Sequence, residues 1–160
     1  MSARSIVISA FLFAPLYAQA ADTPKQGTDT YTTTYVTTSS NTMKFGDRTV
    51  VNYDSSGINR NDDGGAMFNN TSARCLGMLE VIGAAATNRG SCVDIDKDGD
   101  QIFTTYEARG SSGTHTYIGG TGKYSGISGT ADYTVQPVKS SDGRSLASAT
   151  HKATWKLPSS

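Results

Sequence analysis

The stretch Tyr31 to Thr38 reads Y-T-T-T-Y-V-T-T, a run of β-branched and aromatic side chains. Such side chains lose rotamer freedom in a helix and pack well on a pleated surface, so the run predicts a strand. The same reading applies to Arg48–Tyr53, Ala66–Arg74, Leu76–Ile82, Ser91–Asp96, Gln101–Ala108, Thr114–Ile118, Tyr124–Val135 and Ser148–Leu157. Clusters of Gly, Asn, Asp and Ser separate these runs, and none carries a helical period. Short strands punctuated in this way predict a single all-β domain, a sandwich or a barrel. Asp96-Lys97-Asp98-Gly99 is the clearest hairpin turn, and Ser140-Ser141-Asp142-Gly143 leads into the last strand, after Pro137 has ended the preceding pairing. In that last strand Ala149, His151, Ala153 and Trp155 share one face, the apolar one, which should point inward. The strand from Gln101 alternates less cleanly, so both its faces are open to partial cover.

The start of the chain has a different character. Arg4 precedes an apolar run from Ile6 to Leu16, followed by Ala18-Gln19-Ala20. This is the layout of a cleavable export signal, residues 1–20. The apolar run falls short of the roughly 20 residues that span a bilayer, so no stable membrane insertion is expected. Residues 21–28 are polar, with Pro24 and Gly27, and are expected to form a mobile lead-in to a domain spanning 29–160. Basic and acidic side chains number 14 each, and the signal removes only Arg4, so nothing favours a nucleic-acid partner. Export to a periplasmic or secreted location places Cys75 and Cys92 where thiols pair, and one structural disulfide is expected. Their spacing is not C-x-x-C, and no histidines lie close by in sequence to make a zinc site.

At Gly119-Gly120-Thr121-Gly122-Lys123-Tyr124-Ser125-Gly126-Ile127-Ser128-Gly129 a glycine-rich turn leads into a strand. This passage resembles the allene oxide cyclase and dirigent barrel superfamily. With Cys92, the Asp96–Asp100 turn and the Ile102–Glu107 strand, it is similar to small exported bacterial relatives of that group. The resemblance covers roughly Cys75 to Val135. It implies a closed antiparallel barrel of about eight strands around an apolar cavity, with Gly119, Gly120, Gly122, Tyr124, Gly126 and Gly129 as an architectural motif. Known relatives include plant cyclases acting on a fatty-acid epoxide and dirigent proteins that orient phenoxy radicals. Their polar site residues do not map onto this chain, so no catalytic residue is carried over, and function does not follow from the barrel.

Candidate chemistry is sparse. Asp94, Asp96, Asp98 and Gly99 match the opening of a calcium loop, but the twelfth position is Thr105 where a glutamate is needed, so a hairpin with solvated aspartates is the expected reading. Two histidines, His115 and His151, have no companions at metal-binding intervals, and no metal site or cofactor is expected. His151 shares its face with Trp155 and is a candidate for the interior, as a structural group or a proton donor or acceptor. Glu107 is weighed as a cavity carboxylate near His115, Tyr117 or His151 against the commoner surface position. Ser91 and Cys92 lack a nucleophile elbow, and Lys123 is not set in a phosphate loop. Asn69 and Asn70 match glycan acceptors, which is informative only in a eukaryotic host.

The candidate ligand-binding set is therefore Glu107, His115, Tyr117, His151 and Trp155. The first expectation is a barrel whose cavity takes a small apolar or aromatic molecule. A cofactor-independent cyclase or isomerase is the alternative, and a structural or protein-interaction module with a filled core is the second. Oligomeric state is left open.

Overall fold

The computed structural model describes residues 24–159. The expected export signal at 1–20 lies outside them. The chain forms eight strands: β1 (Gln26–Phe45), β2 (Arg48–Asn61), β3 (Thr71–Ile82), β4 (Ala85–Ile95), β5 (Gln101–Arg109), β6 (Ser112–Gly120), β7 (Ser128–Val138) and β8 (Leu146–Lys156). Each pairs antiparallel with the next, and β8 returns to β1, so the sheet closes into one barrel. Closure satisfies main-chain groups that an open sheet would leave at its edges. The all-β barrel with one disulfide, Cys75–Cys92, is as the sequence predicts.

Most strands run longer than the runs predicted for them, and Ala66–Arg74 and Leu76–Ile82 give the single strand β3. Pro137 does not end the pairing of β7: it pairs with Ala147 and Val138 with Leu146, a proline being tolerated near a strand's last residue. Three further differences concern the ends and loops that place the core. β1 begins at Gln26, inside the stretch expected to be a lead-in, because Gln26, Gly27 and Thr28 pair with Lys156, Trp155 and Thr154 of β8. Main-chain pairing does not depend on side-chain polarity, which is what the composition had measured. The expected strand Ala66–Arg74 forms only from Thr71 onward. Met67 and Phe68 belong instead to the loop between β2 and β3, where Phe68 and Asn70 adopt left-handed backbone (φ 53° and 55°) and Phe68 is fully buried. Tyr124 does not open a strand. It closes a 3-10 turn, Gly122–Tyr124, and β7 starts at Ser128.

Inward positions are read from burial. They include Tyr31, Thr33 and Tyr35 of β1, Cys75 of β3, Cys92 and Asp94 of β4, and Ile102, Thr104, Tyr106 and Ala108 of β5. On β6 they are His115 and Tyr117; on β7, Ala131 and Tyr133; on β8, the face Ala149, His151, Ala153 and Trp155. Up-and-down topology puts the β2–β3, β4–β5 and β6–β7 connections at one end, the lower, and the four other hairpin turns at the upper end. The lower half is filled. Phe68 stacks on Tyr31 (4.6 Å between ring centroids) and Tyr117 (5.5 Å), among Met67, Ile127, Trp155 and Leu157. Asn61 holds the loop that delivers Phe68, donating to Asp29 Oδ1 and Met67 O at 2.8 Å each and accepting from the amides of Asp63 and Gly65. At the upper end β1 pairs with β8 only to Val36 but with β2 to Phe45, so the β1–β2 hairpin runs on past β8.

Candidate functional site

Two grooves on the outer face enclose about 1230 and 880 Å³ and share Met78, Arg89, Glu107 and Thr114. A third, of about 370 Å³, lies inside the upper half of the barrel. A guest in the interior cavity is surrounded by protein, whereas the outer grooves leave one side to water. The interior cavity is therefore the candidate site.

Its wall takes Tyr35 from β1, Tyr53 from β2, Tyr106 from β5, His115 from β6, Tyr133 from β7 and His151 from β8, with the Cys75–Cys92 disulfide, Leu79, Val135 and Ala149 between them. No Asp, Glu, Lys or Arg lines it. The two imidazoles meet edge to face with ring centroids 5.3 Å apart, and Tyr133 flanks both, at 5.0 Å from His115 and 5.5 Å from His151. Burial disfavours the charged imidazolium, lowering His115 to about 3, with the neighbouring His151 adding to the effect. Burial likewise lowers His151 to about 4. Both are neutral at pH 7. His115 Nδ1 is hydrogen-bonded to Thr104 Oγ1 at 3.2 Å, while His151 Nδ1 has no partner among the described residues. Burial also raises the phenols: Tyr133 to about 12, Tyr35 and Tyr106 further. The cavity presents neutral aromatic faces and polar atoms without a fixed charge.

Tyr53 and Tyr106 meet hydroxyl to hydroxyl at 2.6 Å, and Tyr53 donates to Asn88 Oδ1 at 2.9 Å. They fit because Gly77 and Gly90, paired across β3 and β4, carry no side chain. A Cβ at Gly77 would stand 2.1 Å from Tyr106 Oη, and one at Gly90 2.2 Å from the Leu76 carbonyl and 2.4 Å from the same hydroxyl. Gly90→Ala is expected to cost about 2 kcal/mol, the scale of an overpacked core. Adding Tyr106→Phe should not restore it, since the Leu76 carbonyl is main chain. Gly83→Ala, at a turn with φ of 58° and open space, should cost about 1 kcal/mol. Urea unfolding midpoints of the four proteins check this, and equal losses at Gly90 and Gly83 would contradict it.

Below the cavity lies a buried polar cluster. Thr33 donates to Asn59 Oδ1 (2.6 Å), and Asn59 Nδ2 donates to Thr71 Oγ1 and Asp94 Oδ1, both at 2.9 Å. Burial raises Asp94 to about 6, against the opposing hydrogen bond from Asn59. Asp94 is not in the cavity wall.

Of the five candidate residues, His115 and His151 come together in the cavity. Glu107 does not face it: the inward positions of β5 are even-numbered, and Glu107 is exposed on the outer grooves. Tyr117 and Trp155 point inward but lie too low. Tyr117 is stacked on Phe68, and Trp155 Nε1 donates to Asp29 Oδ2 at 2.7 Å in the filled half. In the glycine motif, Gly119, Gly122, Gly126 and Gly129 have positive φ, and Gly119 sits where the β5–β6 register slips past Ile118. The Asp96 turn holds an ammonium rather than waiting for a cation: Lys123 pairs with Asp96 and Asp98, and Asp96 Oδ1 accepts from the amides of Asp98 and Asp100. Among the described residues no cluster of His, Cys, Asp or Glu could hold a metal ion. Sequence reading missed Tyr35, Tyr53, Tyr106 and Tyr133. Each was available as an inward position of its strand once the register was known.

No family model matches the chain, and no curated protein sequence matches it. Among solved structures, the pterocarpan synthase dirigent protein GePTS1 is similar, with a TM-score of 0.51 and 12% identity over 93% of this chain and 100% of that one. A second pterocarpan synthase dirigent protein, PsPTS1, has a TM-score of 0.47 at 12% identity, over 85% of this chain and 97% of its own. The first likeness shows a dirigent-like barrel fold; at such identity it transfers no site residue.

Proposed function

We propose that this chain is an exported barrel that binds a small, uncharged aromatic or apolar molecule in its upper cavity. The observation that carries the reading is the wall: four tyrosines and two neutral histidines around about 370 Å³, with no charged side chain. That volume is in the range of small-molecule pockets, and neutral polar atoms among aromatic faces orient a guest without demanding charge on it. Export is supported by the disulfide and by the layout of residues 1–20. No helix among the described residues is long and apolar enough to cross a membrane.

Titration with N-phenyl-1-naphthylamine, an uncharged fluorescent aromatic, is expected to show saturable one-to-one binding. Ala147→Trp, which places an indole in the cavity, should weaken it by about tenfold or more. Binding that ignores Ala147→Trp would overturn the reading. Recovery of the natural guest in chemically altered form would favour the cofactor-independent isomerase instead.

A further inference from the structure

The upper end of the barrel carries a second feature, on its outer face, that ligand binding does not use. Of the exposed large apolar residues, Met43 (62% exposed), Phe45 (47%), Ile82 (43%) and Val138 (44%) all sit at the ends of strands that reach the upper turns. Met43 and Phe45 flank the β1–β2 turn and Ile82 the β3–β4 turn. The two turns are tied together by a bond from the Gly83 amide to the Asp47 carbonyl (3.4 Å), so these side chains form one ledge beyond the barrel wall. Arg48 lies over the Phe45 ring at 5.6 Å.

Charge is distributed unevenly along the barrel axis. The upper end bears Lys44, Arg48, Arg89, Arg109, Lys139 and Arg144, against Asp47, Glu80, Glu107 and Asp142. Glu80 is paired with Arg48 and Asp142 with Arg144, while Lys44, Arg109 and Lys139 form no ion pair among the described residues. The lower connections carry Asp62, Asp63, Asp96, Asp98 and Asp100 against Lys97 and Lys123, an excess of the opposite sign. Approaching a negatively charged surface, the molecule is turned with its upper end forward.

We propose that the upper end docks on an anionic lipid surface, with Met43, Phe45 and Ile82 entering the headgroup and acyl boundary and Lys44, Arg109 and Lys139 contacting the headgroups. Apolar and unpaired basic side chains at the same end of the barrel meet the two requirements of peripheral binding, apolar burial and attraction to anionic lipid. The contact is reversible and places the cavity mouth against the phase in which apolar molecules dissolve. It does not depend on what the cavity binds.

The test is flotation of the chain with vesicles of phosphatidylcholine alone and of equal parts phosphatidylcholine and phosphatidylglycerol. Binding is expected only to the anionic vesicles, falling with added salt. Met43→Ser/Phe45→Ser and Lys44→Glu/Lys139→Glu should each reduce it by about tenfold. Ile58→Ser/Ile118→Ser, at exposed apolar positions on the barrel wall, should leave it unchanged. The chain is taken in the form its host exports, with residues 1–20 removed, so the apolar run from Ile6 to Leu16 does not contribute. Equal binding by the wild type and the ledge variants overturns the proposal, as does an equal loss in the wall variant. A ledge variant that changes the oligomeric mass without changing flotation assigns the ledge to a second copy of the chain and likewise overturns it. Cavity binding of the naphthylamine without vesicles is a separate readout, so either reading can fail alone.

Discussion

Between pH 6.5 and pH 4 the barrel is expected to lose about 4 kcal/mol of folding stability. His115 and His151 titrate at their ordinary 6.5 when unfolded but at about 3 and about 4 in the fold. Below 6.5 the unfolded chain therefore binds protons that the native barrel refuses, and stability falls with pH until the folded values are reached. Asp94 acts in the opposite sense. Its folded value of about 6 lies above its ordinary 3.8, so the native state takes up a proton first and gains stability as pH falls through that interval. At roughly 1.4 kcal/mol per unit, the two histidines together contribute about 6 kcal/mol of loss by pH 4 and Asp94 returns about 2. Asp98, held at about 2 by Lys123 and Lys97, gives up its contribution only below its ordinary 3.8. Urea unfolding across this range checks the sign. His115→Phe/His151→Phe should remove the loss and leave a small gain toward low pH, and Asp94→Asn should steepen the loss. A wild-type stability that is flat from pH 7 to 4 would show that the imidazoles are not held neutral.

Loss of the disulfide is the second large effect. Cys75 and Cys92 are directly opposed in the β3–β4 register and separated by 17 positions, so the bond closes a short loop in the unfolded chain. Cys75→Ala/Cys92→Ala is expected to cost about 3 kcal/mol in the chain-entropy account, a fall of roughly 10 °C in Tm for a domain of this size. The bond is also part of the cavity wall, where Tyr35 Oη lies 3.9 Å from Cys75 Sγ. Reduction should therefore weaken guest binding at temperatures where the barrel is still folded. Calorimetry with and without a phosphine reductant reads the first effect, and the naphthylamine titration the second. A Tm shift under about 2 °C would mean that the adjacent strand pairing already restricts the reduced chain.

What was legible in the sequence was local. The β-branched run at Tyr31, the hairpin at Asp96–Gly99 and the inward face of the last strand each depend on residues a few positions apart, and each is present in the fold. The site depended on register, which alternation does not contain. Trp155 and His151 share a face, but four positions along a strand separate a filled core from an open cavity. Glu107 stays a candidate for the cavity beside the commoner surface position because its strand shows no clear parity; buried Thr104 is polar and half-buried Phe103 faces outward, which blurs the pattern. Phe68 was read into a strand because its apolar character signals burial without saying in what. Here it is buried by a loop turned inward through left-handed backbone.

That inward loop decides how traffic reaches the cavity. With Phe68 and its neighbours closing the lower half, the barrel is a cup rather than a tube, and every molecule that enters must leave by the way it came. A long-chain compound cannot be threaded through it. Such a guest is held by one end, with the remainder outside the rim, so the shape selects for the terminal group of a ligand rather than its length. Arrival and departure also share one opening, and a second molecule waits until the first has gone.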